Sequence, residues 1–273
     1  MNAMIQETMA SRPCETGLFW NRDTLPSPFR TAFTLRAGGS SNAPYESLNM
    51  GLHVGDDPRR VRANRTRALS SLGLDGNRSV TAQQIHGAAC VQTGCVDAGR
   101  GWFSHADALE GVDALVTRDR RLPLMCLNAD CLLLALGDPQ SGVLGVLHAG
   151  WRGMAAGVIE NTVATILSMG AKSGQIHARG GPSIGPCCFE VGNEVVDALG
   201  ADCAIFQDGK KPMFDLRAAA LKRLEKCGLS RANVQIDSAC TCCDPAQFFS
   251  HRRATRGENK QQTGRMALIA WID

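Results

Sequence analysis

The apolar and polar positions of the chain fall into segments of distinct character. From residue 18 to 36, short strand-like runs are interrupted by Pro26 and Pro28, and a turn-rich stretch, AGGSSNAPYESLNMGLHVGDD, follows from Ala37 to Asp57. Pro58 suits the first turn of a helix reaching about Leu72, because a helix start leaves that N–H unpaired in any case. Strands are predicted at 79–85 and 89–93, on either side of His86-Gly87, and again at 112–117.

The segment LPLMCLNADCLLLALGDPQSGVLGVLHAGWRGMAAGVIENTVATILSM, Leu122 to Met169, reads as an apolar strand, a turn at Asp138-Pro139 and Gly142, a second apolar strand, a glycine-bearing loop and a helix from about Met154. With a four-residue loop at 138–141, Gly137 pairs with Gly142. The same register sets Cys131 directly opposite His148, with β-carbons ~4.5–5.5 Å apart. A bulge or one-residue slip would separate them. Further on come a strand near 175–180, a short helix over 193–199, and an amphipathic helix over 215–227 with Leu216, Ala220, Leu221 and Leu224 as its apolar positions. A strand at 233–237, an arginine-rich loop at 250–264 and a strand at 265–272 complete the pattern. Strands and helices mix without strict alternation, which predicts an α+β fold with mixed sheets.

Length and composition narrow this further. The 273 residues are 44% hydrophobic and 20% charged, which excludes a disordered or fibrous chain and suits one domain, residues 17–273, behind a flexible leader at residues 1–16. A net charge of +3 with no basic block gives no argument for a nucleic-acid partner. Apolar runs such as Cys131 to Leu136 and Gly142 to Leu147 are far shorter than the ~20 residues of a spanning helix, and the N-terminus has no signal-peptide pattern. No membrane and no obligate protein partner are expected, and the location predicted is cytoplasmic. The 12 cysteines are then reduced thiols. Neither Cys187–Cys188 nor Cys240, Cys242 and Cys243 reads as the paired C-x-x-C spacing of a zinc ribbon, so most are expected to be small buried hydrophobes.

Three residues carry the chemical argument: His86 in QQIHG, Cys131 in NADC and His148 in LHAGWRG. One thiolate and two imidazoles form a borderline-soft donor set suited to Zn²⁺, with Cu²⁺ as a competitor. Three protein ligands leave a tetrahedral position open, as in catalytic sites. The bland alternative is a core cysteine, a histidine at a strand end and a loop histidine; the hairpin pairing favours the metal. Directly after His148, Gly150, Arg152 and Gly153 lead into a helix whose free N–H groups and dipole would hold an anion such as phosphate, or else form an ordinary glycine turn with a surface arginine. Asn49, Arg65, Arg252, Arg253 and Arg265 stand in polar or helical contexts, where an arginine is ordinarily solvated surface. The residues alone select none of these five.

The motifs LRAGGSS, SLNMGLHVGDD, QQIHG, VDALVT, NADC, LHAGWRG, GPSIGPCCFEVG, FFSHRR and TGRMA occur in this order over nearly the whole chain after the leader. In these the chain resembles the laccase-domain, or polyphenol-oxidase-like, family, whose members are described as purine nucleoside phosphorylases and in some cases as peptidoglycan editing factors. The resemblance implies a mixed-sheet α/β/β/α sandwich and a metal or catalytic triple at His86, Cys131 and His148, with Asn49, Arg65 and Arg252 around the pocket. It also implies phosphorolysis of adenosine, inosine and methylthioadenosine, with purine nucleoside and phosphate as partners, and adenosine deaminase activity. Two departures stand out: His251 where a tyrosine is common, and a lengthened loop, ATRGENKQQ, before TGRMA.

Phosphorolysis needs an anion pocket, stabilisation of an oxocarbenium-like sugar and a contact to the departing base. Deamination would direct water from the same open position at C6 of adenine, although the usual H-x-E with P-C-x-x-C signature is absent, since Glu190 stands where the second cysteine would be. A cysteine-dependent amidase acting on peptidoglycan precursors, with Cys131 as nucleophile and His148 as base, fits the same pairing. Copper-dependent phenol oxidation is chemically weaker, because multicopper sites use more histidines than the six here, none in an H-x-H pair. A non-catalytic metal- or partner-binding module would show no turnover at all.

Overall fold

The computed structural model of the chain describes residues 17–22, 24–257 and 262–273; the leader expected at 1–16 lies outside them, as does part of the ATRGENKQQ loop. In chain order the strands are β1 (Phe19–Arg22), β2 (Phe29–Thr34), β3 (Val80–Thr81), β4 (Cys90–Gln92), β5 (Ala114–Thr117), β6 (Leu124–Asn128), β7 (Leu132–Asp138), β8 (Val143–Ala149), β9 (His177–Gly180), β10 (Ala204–Ile205), β11 (Met213–Phe214), β12 (Val234–Ile236) and β13 (Met266–Ile272). The helices are α1 (Pro58–Ser71), α2 (Trp151–Ala156), α3 (Val158–Ser168), α4 (Asn193–Leu199), α5 (Leu216–Lys226) and α6 (His251–Arg256). A five-stranded sheet runs β1-β2-β13-β6-β3 and a six-stranded sheet β12-β9-β7-β8-β5-β4, each mixing parallel and antiparallel neighbours.

Period-two alternation sorts the side chains into layers. Along β7, Leu133 and Ala135 face the interface between the sheets, while Leu132, Leu134 and Leu136 face the helices. Along β13, Leu268, Ala270 and Ile272 join that same interface, and Ala267, Ile269 and Trp271 pack outward with Ala68 and Leu69 of α1. Both faces of each sheet are covered, which is why these strands read as unbroken apolar runs. Truncating one such leucine to alanine costs ~2–5 kcal/mol. The result is a four-layer α/β/β/α sandwich in a single domain, with α1 on one side and α3 and α5 on the other.

Most expected elements recur with shifted ends. Asp57 caps α1, its carboxylate accepting from Arg59 N at 2.9 Å, with Pro58 in the first turn. The helix expected from Met154 starts earlier, at Trp151, and is interrupted at Gly157, whose φ of 95° ends α2 and begins α3. The arginine-rich stretch expected as a loop contains α6, because Ser250 Oγ accepts from Arg253 N at 3.1 Å and so caps a helix start. The strands flanking His86 are shorter than expected and belong to different sheets.

Candidate active site

Two crossings between the sheets end at the same place. Residues 82–89 carry the chain from β3 to β4, and residues 129–131 from β6 to β7. His86 lies on the first crossing, Cys131 on the second, and His148 near the end of β8. Their ligand atoms all lie within 4.8 Å of one another. The two imidazoles meet edge to face, with centroids 4.7 Å apart.

The pairing differs from the one expected. The hairpin loop is 139–142, not 138–141, so Asp138 pairs with Val143 and His148 with Leu133. Cys131, which precedes β7, is therefore not opposite His148. A shift of two residues preserves the face of the sheet, and Cys131 takes the diagonal position beside His148.

Several residues outside the triple hold it. Asp113, fully buried, accepts from His148 Nδ1 at 2.8 Å, which directs Nε2 toward the site. The same carboxylate accepts from the backbone N–H groups of Ile85, His86 and Gly87 at 3.0, 3.0 and 2.8 Å, stabilising a turn in which His86 has φ 62°. Gln84 pairs its amide with Leu127 N and O, both at 2.8 Å, tying this turn to β6. Asp130, at φ 93°, accepts from Thr241 Oγ1, Ser250 Oγ and Arg252 N at 2.6, 3.0 and 2.7 Å. At Gly150 a β-carbon would stand 3.0 Å from both Cys131 Sγ and His86 Cδ2, so glycine there lets the three side chains close together. Sequence reasoning missed Gln84, Asp113 and Asp130; all three lie within or beside quoted motifs, but nothing in their spacing names a partner.

Burial opposes ionisation of Cys131, yet His148 and His86 outweigh it and bring the thiol down to about 6. Burial likewise opposes a charge on His148, but the Cys131 thiolate and Asp113 raise it to about 9. Without a metal, each of the pair thus favours the charged form of the other, thiolate beside imidazolium.

Above the triple opens a pocket of about 500 Å³, within the usual range for small ligands. Five of the six histidines line it: His53, His86, His105, His148 and His251. Burial, then the nearby Arg265, lowers His53 to about 4, so that ring is neutral at pH 7. Trp151 and Phe189 supply aromatic surface, and Arg152, Arg252 and Arg265 supply positive charge. Arg152 lies over the Trp151 ring at 4.3 Å. Arg252 donates to the carbonyls of Cys188 and Glu190 at 3.2 and 2.9 Å.

Asn49, Arg65 and Arg253 are not among the pocket's lining residues. Asn49 is buried and accepts from Arg265 N at 2.9 Å, so it positions that arginine's backbone. Arg65 is buried, and its guanidinium donates to the carbonyls of Met50 and Gly101 at 2.8 and 2.6 Å. Arg253 ties down Thr241 and Cys242. The six-residue α2 also gives Gly150 a weaker dipole than the long helix expected.

The donor set fits a single Zn²⁺ or Cu²⁺ ion: a low-pKa thiolate, two imidazoles, and a carboxylate on the far nitrogen of one of them. Among the described residues no helix is long and apolar enough to cross a membrane.

Residues 30–273 match the family described as multi-copper polyphenol oxidoreductase laccase. A purine nucleoside phosphorylase of Streptomyces coelicolor, SCO2081, is 40% identical over 256 residues, covering 92% of this chain and 98% of its own. The purine nucleoside phosphorylase YlmD of Geobacillus stearothermophilus is 35% identical over 260 residues, with 90% and 92% covered. The crystal structure of YlmD superposes with a TM-score of 0.86 at 32% identity, covering 94% of this chain and 99% of that one. That of the Bacillus licheniformis hypothetical protein YfiH gives 0.86 at 30% identity, with 90% and 93% covered. With sequence, superposition and coverage agreeing over nearly its whole length, this chain belongs to the multi-copper polyphenol oxidoreductase laccase family.

Proposed function

We propose that this protein is a purine nucleoside phosphorylase acting on adenosine, inosine and methylthioadenosine. The observation that carries the reading is a Cys/His/His donor set at the base of a pocket that also gathers Arg152, Arg252 and Arg265. The names of the relatives, purine nucleoside phosphorylases at 35% and 40% identity, support it.

In this reaction a phosphate oxygen attacks C1′ of the pentose. The C1′–N9 bond breaks with its electron pair going to the purine, which takes up one proton. Arg152 and Arg252, with Arg265, orient the phosphate, since guanidinium matches its geometry and stays charged. Gly150 leaves room for the approach. Trp151 and Phe189 offer faces against which a purine can stack. The neutral His53 can donate to or accept from the base without repelling a proton arriving there. His86, Cys131 and His148 would hold Zn²⁺, which would supply a Lewis-acidic electrophile beside the substrate. Deamination of adenosine, with water replacing the C6 amino group and ammonia leaving, is the accompanying activity proposed for the same pocket.

A second reading has its own support. Asp113, His148 and Cys131 form a carboxylate–imidazole–thiol chain, the arrangement a cysteine nucleophile needs. That favours a cysteine-dependent amidase. One experiment separates the readings: incubate the protein with adenosine, with and without phosphate, and identify the products for wild type and Cys131→Ala. Phosphate-dependent adenine and ribose 1-phosphate, lost in the variant, are expected. Inosine alone would leave only the deaminase component, and no product from any purine nucleoside would overturn the proposal.

A further inference from the structure

A second group of sulfurs lies outside the pocket lining. The Sγ atoms of Cys187, Cys188, Cys240 and Cys243 are all within 4.8 Å of one another, with Cys187–Cys243 at 3.5 Å and Cys188–Cys243 at 3.4 Å. None of the four lines the pocket. Cys240-Thr241-Cys242-Cys243 does contain one C-x-x-C spacing, between Cys240 and Cys243. Its partner is the adjacent pair Cys187–Cys188, which is why no ribbon pattern is visible along the chain.

The two loops are built to meet. Ser183 and Cys240 form a parallel bridge, with Thr241 N donating to Ser183 O at 3.1 Å. Arg217 clamps both strands of this bridge, donating to the carbonyls of Ser183, Ser238 and Ala239 at 2.8, 2.6 and 2.9 Å. Gly185 N donates to Cys240 Sγ at 3.2 Å, the kind of contact that stabilises a sulfur carrying negative charge. Cys242, between two of the ligand candidates, packs against the helix-side core as Cys188 and Cys240 do, but its sulfur is not part of the group of four. Cys187 and Cys243 are exposed, so an ion has access from solvent.

We propose that Cys187, Cys188, Cys240 and Cys243 form a structural Zn²⁺ site, distinct from the His86/Cys131/His148 centre and independent of the reaction proposed there. Tetrahedral Zn–S bonds of ~2.3 Å place sulfurs about 3.8 Å apart, so the ion requires only small side-chain adjustments. Four thiolates close the coordination sphere, the pattern of a site that holds structure and not substrate. Binding releases the protons of whichever thiols are not already ionised, with no change of oxidation state. Arg217 supplies positive charge beside the resulting dianionic centre. The ion would clip together loop 183–190, which contributes Ile184 and Phe189 to the pocket, and loop 240–243, whose Thr241 donates to Asp130.

The test is metal stoichiometry. Full-length protein prepared under reducing conditions and saturated with Zn²⁺ should carry two equivalents by elemental analysis. Cys240→Ser/Cys243→Ser should carry one. The complementary variant His86→Ala/Cys131→Ala should also carry one and, when loaded with Co²⁺, show the tetrahedral thiolate-to-cobalt absorption of an all-sulfur site. That arm keeps all four cysteines, so it remains decisive even if the serine variant fails to fold. One equivalent in wild type, no thiolate-to-cobalt band in the complementary variant, or a disulfide between Cys243 and Cys187 or Cys188 in protein isolated with its thiols trapped would each overturn the proposal.

Discussion

Cys131 sits beneath two imidazoles at the end of the sheet interface, with a fully buried Asp113 fixing one of them from behind, whereas Cys187 and Cys243 occupy exposed turns held mainly by backbone bridges and Arg217. The first group has three donors, all of which line the pocket; the second has four donors, none of which lines a described pocket, although the neighbouring Phe189 does. The same thiol chemistry is thus placed once facing ligand space and once where four thiols would fill the positions of the proposed ion. What separates a reactive centre from a structural clip is the number of ligands the fold brings together and the space it leaves beside them.

Substitution should divide the two regions. Cys131→Ala is expected to lower kcat/KM for phosphorolysis by at least ~10³-fold, and adding His86→Ala should cost little more, because residues acting as a unit are not additive. Cys240→Ser should instead appear in thermal unfolding, as a fall in Tm of roughly 5 °C, with kcat reduced less than tenfold. Equal kinetic losses at both sites would abolish the distinction.

Arg65→Met checks whether a buried arginine near the pocket's supporting loops acts through stability. Losing its hydrogen bonds to the Met50 and Gly101 carbonyls should cost ~3 kcal/mol in urea unfolding, while KM for phosphate stays within about twofold. A large rise in that KM would instead place Arg65 in substrate binding. Asp113→Asn leaves the shape intact but weakens the hold on His148. Metal affinity at the three-ligand centre should drop ~10–100-fold in a competition titration, with the four-cysteine centre unaffected.

Protonation offers a milder probe. In metal-free protein, alkylation of Cys131 should follow the thiolate, rising as pH increases through about 6, well below the ordinary thiol value of 9.0. The depressed thiol contributes its full stabilisation above its ordinary value of 9.0 and loses it as pH falls through about 6; the raised His148 contributes fully below its ordinary 6.5 and loses it as pH climbs through about 9. Added Zn²⁺ should protect Cys131, and a midpoint near 9 would show that the imidazoles do not act on it. The smallest effect is expected for Gly150→Ala, whose methyl group crowds Cys131 and His86 and should weaken metal binding a few-fold.

Much of the architecture is legible in the sequence. The helix at Pro58, the apolar hairpin, the helix at 193–199 and the last strand follow from caps, turn residues and period-two burial, all of them local. The helix after Ser250 was hidden in polar sequence, although a serine cap was its available signal. The hairpin register was misjudged by two residues because Asp138, which resembles a turn residue, still pairs with Val143. Cys131 and His148 came together regardless, since an even shift keeps side chains on one face.

From residue types alone, the chain determined that it would bury a large mixed core and that one thiol and two imidazoles were the donors suited to a metal. Only tertiary structure decided that Asp113 orients His148, that Asn49 and Arg65 lie outside the pocket lining, and that Cys187 and Cys188 meet Cys240 and Cys243. The reason is physical: burial patterns and caps depend on neighbours a few positions away, whereas a ligand set depends on where separate sheet crossings and loops end, and sequence spacing carries no measure of that distance.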